Sequence, residues 1–536
     1  MKNGFIEKYS SKIQGIISCY DRVLIKGTLH SVGHSDAMVN LLYRRNVLLK
    51  DYPKFVNTYR NKLHSHTEDI AKSLGIEIEF IRKINAVRKE DLVQRHIAKQ
   101  NLPTNYTGIV CILSAMERCK TYRYHYDKSS GRSTLQMVNG KCLHYYFYFI
   151  DTDLGLCHLR VPTWCPFRLQ FYFNGHNWLV RSLDKAQIPY ELIDNAIVNI
   201  GSTNDNEAAL KTLYDKVQEI SDSFDIPSLQ EKLDSYAKQF CPVAKQLCHI
   251  GYHWSIMQAE YATDIIFKDN RTVGQIYDSL LNTLIQTVQP VDIAKFLGRK
   301  ALKNGQLHGK NNLEIDTSCK SIAMTIKGKR HLMRRIKHRM GSTSINPDSY
   351  REYDKFNRVL RIETTTNNPS EFRHYRSVEQ RDGVKTNKLA PVRKYIYSLK
   401  PLAKIMFDCN KRYLDFIAAF DQPTIGKKRL EKVTKTSKVN NRNYKGFNFF
   451  DKNDEKIFKA IVKGEFIIKG FRNQNLKVLI NKNTAQTSRV IKRLRVKGII
   501  RKVKKSYRYV VTKLGQHIIA TALNFKELIF KKQLEY

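Results

Sequence analysis

The spacing of apolar and polar residues divides the chain into elements before any chemistry is considered. Within 19–29 the β-branched run of Val23, Leu24 and Ile25, closing at Gly27, predicts a strand with Asp21 at its entrance. Helical spacing follows over 35–74, carried by Met38, Leu41 and Leu42. Short strands are predicted at 108–113 and at 141–150, the second dense in Tyr and Phe. Asp151-Thr152-Asp153-Leu154-Gly155 has turn composition and leads into a partner strand at 156–161, so its paired carboxylates read as turn residues. A strand at 168–173 turns at Asn174-Gly175 into a helix with Leu179 and Leu183, and 188–195 predicts a further strand with Asp194 near its end. From 203 to 297 the pattern reads as helix. That places Glu260 and Asp264 as i, i+4 neighbours on one helix face, where two like charges call for an Arg or a metal ion between them.

The second half begins with a strongly basic stretch, 298–339, that includes His338. Val359, Leu360 and Ile362 followed by three threonines predict a strand, with Asn357 as the turn residue before it. Alternation sets Arg361 and Glu363 on one face and Leu360 and Ile362 on the other. Such a pair is either a surface ion pair or part of a carboxylate set for a metal in mid-sheet, with its basic neighbour facing phosphate. An amphipathic helix is predicted at 400–420, then a linker rich in Lys, Thr, Asn and Gly. The last 86 or so residues carry the clearest local signals. Helices are expected at 454–462, 474–480 and 485–497, ended by Gly464 and Gly498, then a hairpin at 499–503 and 507–512 and a closing helix after Gly515. The expected architecture is α+β: a mixed-sheet domain in two parts, 1–202 and 301–420, a helical insert at 203–300, a basic linker at 421–450 and a C-terminal module at 451–536.

Charge narrows the function. There are 93 Lys and Arg against 49 Asp and Glu, a net +44 with a pI near 9.8. An excess of that size points to a polyanionic partner, foremost nucleic acid. No run of about 18 apolar residues is present to span a bilayer, and the start of the chain lacks a signal-peptide core. The cysteines show no Cys-x-x-Cys pair, which predicts reduced structural thiols in a cytoplasmic protein.

The C-terminal module resembles MarR-like winged helix-turn-helix domains, and the chain resembles a bacterial family labelled only by such a tail. That resemblance implies a third helix entering the DNA major groove through Gln486, Thr487, Arg489, Arg493 and Lys497, with Lys502, Lys504, Lys505 and Arg508 of the wing on phosphates. The front resembles rolling-circle replication initiators of the Rep type. The residues that carry this are Asp21, then Tyr172, Gly175 and Asp194, and then Tyr353-Asp354-Lys355 followed by Arg361 and Glu363. The acidic insert and the lack of a His-hydrophobe-His motif depart from that pattern. The resemblance implies metal-assisted DNA transesterification through a tyrosine, with Glu363, Asp194 and Asp21 holding Mg²⁺ or Mn²⁺. Lys355, Arg361 and His338 are the basic candidates for phosphate. The nucleophile stays open among the tyrosines that follow Glu363, with Tyr395, Tyr397 and Tyr413 as candidates. A non-catalytic DNA-binding regulator with a sensing front domain is the alternative, and RNA binding through the aromatic strands is a third reading.

Overall fold

The long β-branched and aromatic runs of the front domain pair into one sheet of eleven strands. The computed structural model describes residues 4–82, 88–103, 105–129, 131–202, 205–277, 315–326, 329–340, 349–380, 383–418, 433–439, 441–448, 451–503, 506–516 and 518–519, with 315–354 as backbone alone. The strands are β1 (Ile13–Leu29), β2 (Ile78–Phe80), β3 (Gly108–Asp127), β4 (Arg132–Asp151), β5 (Gly155–Pro162), β6 (Leu169–Phe173), β7 (Tyr190–Ile193), β8 (Ala196–Ile200), β9 (Tyr252–Phe267), β10 (Ile315–Ile326), β11 (Lys329–Met340), β12 (Ser349–Lys355), β13 (Val359–Thr366), β14 (Arg373–Glu379) and β15 (Lys385–Pro391). The sheet order is β10-β11-β12-β13-β9-β1-β6-β5-β4-β3-β2, and β7–β8 and β14–β15 are separate hairpins. Pairing in the large sheet is antiparallel except between β2 and β3.

The helices are α1 (Gly4–Tyr9), α2 (Ser35–Arg44), α3 (Tyr52–Ser73), α4 (Lys89–Lys99), α5 (Gly175–Lys185), α6 (Glu207–Asp222), α7 (Ile226–Phe240), α8 (Val243–Leu247) and α9 (Leu399–Ala418). One face of the sheet is the main core. Val23, Ile25, Phe147, Phe171, Phe173, Leu360 and Ile362 pack there with Leu42, Val56, Leu233 and Met406 of the covering helices. Close packing explains one glycine: a Cβ on Gly27 would stand 2.6 Å from the Trp254 ring. The opposite face is covered at one end by α5, α6 and the β7–β8 hairpin, and at the other by α4. On this second face Asp21, Glu260, Asp264, Arg361 and Glu363 are also buried.

Three expectations are corrected here. Residues 203–297 are not helical throughout: β9 crosses that segment and pairs with both β1 and β13. The supposed insert therefore supplies a central strand that joins the two parts of the sheet domain, because Tyr261, Thr263, Ile265 and Phe267 alternate into a buried pleat. Glu260 and Asp264 consequently share a strand face, not a helix face. Asp21 lies within β1 and not at its entrance.

The C-terminal module contains α10 (Lys452–Ile461), α11 (Gly464–Lys469), α12 (Asn473–Ile480), α13 (Thr484–Val496) and a small hairpin, preceded in the connector by β16 (Ser437–Val439) and β17 (Arg442–Tyr444). The hairpin strands are β18 (Ile500–Lys502) and β19 (Tyr509–Val511). Asn483 caps α13 by accepting from Gln486 N, and Gln486 caps it in return. Gly464 opens α11 instead of merely ending the helix before it. Among the described residues no helix is long and apolar enough to cross a membrane.

Candidate metal centre

A β-bulge builds the site. β1 pairs Tyr20 with Tyr261 and Arg22 with Glu260, which leaves Asp21 as the extra residue. Such a bulge turns neighbouring side chains toward one face, and here Asp21 comes to the side on which Glu260 and Glu363 point. One oxygen from each of Asp21, Glu260 and Glu363 lies within 4.8 Å of the other two. β9 and β13 supply the glutamates at positions set by register, Glu260 opposite Thr365 and Glu363 opposite Ala262. Thr365 adds a buried hydroxyl with no hydrogen-bond partner beside Glu260. Three carboxylates and a hydroxyl form an oxygen donor set of the kind that hard divalent cations take.

Next to the triad stands a buried cluster centred on Arg361. Its Nε and Nη2 donate to both oxygens of Asp264 at 2.5 and 2.6 Å, and Nη1 reaches Asp21 Oδ1 at 3.4 Å. Nη2 also donates to the Asn195 carbonyl at 2.9 Å. His176 lies between the two aspartates, Nδ1 3.1 Å from Asp21 and Nε2 3.4 Å from Asp264. It arrives there because Asn174 caps α5, accepting from His176 N, and because Gly175 lets the helix meet β1 closely. A Cβ on Gly175 would stand 2.3 Å from the Tyr20 carbonyl oxygen. In the β7–β8 turn Asn195 donates to Asp21 Oδ1 at 3.1 Å and accepts from Lys355 Nζ.

These contacts set the protonation states. Burial alone would raise the Asp21 and Asp264 carboxyls, but Arg361 first and His176 second hold both well below the usual carboxylate range. His176 Nε2 also lies 2.9 Å from Arg361 Nη2, a contact that favours a neutral ring. Burial works in the same direction. Cys19 and the two flanking carboxylates outweigh both effects, and the His176 pKa rises well above its ordinary value. Lys355 is lowered to about 8 by burial and by Arg361, against the pull of Asp21, Asp264 and Asp194.

The expected site residues are thus partly gathered. Asp21 and Glu363 meet, whereas Asp194 is exposed in the β7–β8 turn at φ 54°, and Glu260 takes the third position. Lys355 and Arg361 are buried, so they hold the site's charges and do not present themselves to a phosphate surface. Tyr413 is buried in the α9 core, while Tyr395 and Tyr397 are exposed. Tyr395 bridges Ser255, five residues from Glu260 along β9 or about 16 Å at strand rise. The His338 and Tyr353 side chains and residues Lys504 and Lys505 lie outside the described set. On α13, Gln486 and Arg489 face outward with Lys492 and Arg495. Thr487 is buried and donates to Asn483 O, Arg493 pairs with Asp454, and Lys497 is buried on Ser437 and the Lys435 carbonyl. Lys502 and Arg508 of the small hairpin are exposed.

Sequence reasoning missed His176, Asn195 and Arg22, and it gave Tyr172 no role as a nucleophile. Tyr172 on β6 has Arg22 over its ring at 5.5 Å and His158 stacked on it at 4.9 Å. Burial and then the charge of Asp21 raise its phenol pKa, with a smaller push from Glu260 and an opposing pull from Arg22. The Asn174-Gly175 cap was the available signal for His176, and the Rep-type resemblance was the only one that grouped Tyr172 with the acidic residues. Comparison of the chain with family models, with curated proteins and with solved structures gives no match.

Proposed function

We propose that the protein is a metal-dependent DNA-nicking and rejoining enzyme of mobile-element or replication type that works through a tyrosine. The observation carrying this reading is the convergence of Asp21, Glu260 and Glu363 from three adjacent strands in a chain of net charge +44. These residues would hold Mg²⁺ or Mn²⁺, since oxygen-only donors suit both. Such an ion, when bound, polarises a phosphodiester and offsets charge gathering on its oxygens. Arg361 and His176 keep Asp21 ionised and fixed. Arg22, exposed beside Glu260, is a cation positioned to meet a phosphate. Tyr172, under Arg22 and within the electrostatic reach of Asp21 and Glu260, is the candidate nucleophile. Its phenolic oxygen would bond to phosphorus while giving up its proton, the ester oxygen of the broken strand would leave and take up a proton as a hydroxyl, and the reverse attack by that hydroxyl would rejoin the strand. Outward residues of α13 and the β18–β19 hairpin would add duplex contacts if the tail acts as a winged helix.

The test is incubation of the full chain with labelled single-stranded and supercoiled DNA plus Mn²⁺. The expected result is cleavage with a protein–DNA adduct that survives denaturation and is lost in Glu363→Gln and Tyr172→Phe. An adduct mapped to Tyr395 or Tyr397 moves the nucleophile; no cleavage and no adduct overturns the reading.

One observation favours a non-catalytic regulator instead. A cleft of about 1040 Å³, lined by Phe173, Trp178, Phe224 and Phe407, opens between α6 and α9 along the first half of β1. It is the kind of space a sensed small molecule takes. DNA binding altered by a small molecule, without any cleavage, would select this reading.

A further inference from the structure

We infer that Lys26, Lys394 and Arg168 form a phosphate subsite for a nucleic-acid strand, on the sheet face of the acidic centre but distant from it. The inference rests on the nucleic-acid reading above. Arg22, Leu24 and Lys26 share one face of β1, opposite Glu260, Gln258 and Ser255 of β9. Four residues separate Arg22 from Lys26, about 13 Å along the strand. Lys26 is half-buried, and its neighbour across β6 is Gln170, two residues after Arg168. Beyond β9 the chain passes close by: the Lys394 carbonyl accepts from Ile256 N at 2.6 Å, and Tyr395 bridges Ser255.

The electrostatics favour an anionic ligand here. Burial lowers the Lys26 pKa, and the positive charges of Arg168 and Lys394 lower it further, with no carboxylate to offset them. Among the described residues none of the three cations has a carboxylate partner. Arg168 donates through Nη2 to the Gly33 carbonyl at 2.8 Å, yet its buried Nε has no acceptor. Three cations gathered without a counter-charge cost free energy that a bound phosphate would recover. The surroundings suit an unpaired strand. Tyr395, 45% exposed, meets the His253 ring edge-on at 4.9 Å, leaving aromatic surface next to the cations for a base to stack on. Arg22 and Tyr172 continue the track toward the triad, so a strand following this face would place one phosphate at Lys26 and another, a few nucleotides away, at the acidic centre.

The test measures anisotropy of a fluorescein-labelled single-stranded oligonucleotide with the full chain in EDTA, across a salt series. Lys26→Gln with Lys394→Gln is expected to weaken binding roughly tenfold and to lessen the salt slope by about one to two contacts' worth. The Lys26→Arg, Lys394→Arg form should bind like the wild type, and Mn²⁺ binding should be unchanged in both. Affinity and slope equal to wild type in a normally melting Gln form overturn the subsite, as does an Arg form as weak as the Gln form. Lysine-dependent binding by a wild type that never cleaves DNA keeps the subsite and removes the nicking reading alone.

Discussion

Two Arg–Asp forks in this protein use the same chemistry to different ends. Arg361 grips both oxygens of Asp264 in the middle of the sheet with no solvent exposure. Arg493 grips both oxygens of Asp454 at 2.8 and 2.9 Å in the tail, with its side chain 19% exposed. Arg493 also stacks on Phe447 at 3.8 Å and donates to the carbonyls of Lys445 and Gly446. It ties the connector to α10 and α13. Arg361 instead shares its charge with Asp21, which belongs to the acidic triad, so it couples the stability of the sheet to the ionisation of the site. The lesson is that burial and neighbours, not the pair itself, decide whether a salt bridge is an anchor or part of an electrostatic machine.

The comparison can be broken most directly at its buried end. Arg361→Leu is expected to cost ~3–5 kcal/mol in urea unfolding, because it strips the guanidinium fork from buried Asp264 and takes a cation from Asp21. A loss no larger than that of the tail variant would refute the contrast. Glu363→Gln should leave folding nearly unchanged while lowering Mn²⁺ affinity by more than the ~10–100-fold typical of residues outside the ligand set. Unaltered Mn²⁺ binding by calorimetry would separate Arg361 from any metal role. Arg493→Leu should cost ~1–3 kcal/mol and leave Mn²⁺ binding alone. Acid sharpens the same point. Asp264 has a depressed folded pKa, so its stabilisation is complete above the unfolded value of about 4 and fades as pH falls toward the folded one. Wild-type stability should therefore decline below about pH 4, and Asp264→Asn should be less stable at neutral pH but flatter in acid. The smallest effect is expected at the surface of α13. Arg489→Ala should reduce DNA affinity uniformly across sequences, with a salt slope smaller by about 0.9. Lys497→Ala should act through stability, since Lys497 is internal.

Local signals were sufficient where they act locally. The strand closing at Gly27, the Asn174-Gly175 helix start, the turn carboxylate Asp151 and the C-terminal helices follow from periodicity and capping. Asp151 indeed accepts from the backbone of Asp153 and Leu154. Glu363 and Arg361 were legible as one strand face because Leu360 and Ile362 define the other. Glu260 and Asp264 stand four apart, a spacing that fits a helix face and a strand face alike, and the helical stretch before them favours the helix although they lie on β9. The strand alternative was present in Tyr261, Thr263 and Ile265.

What the sequence determined, then, is the inventory: the basic excess, the apolar faces and the Arg and Glu two apart on a strand. Which charges meet was decided by the tertiary structure alone. Asp21 reaches Glu260 only because one extra residue bulges from β1, and Asp194 stays outside because its turn carries it to solvent. The partner of Arg361 is Asp264, 97 residues away, and not Glu363 two residues on. Alternation fixes a face, but sheet register fixes the neighbour, and register comes from pairing strands that the chain brings together over hundreds of residues.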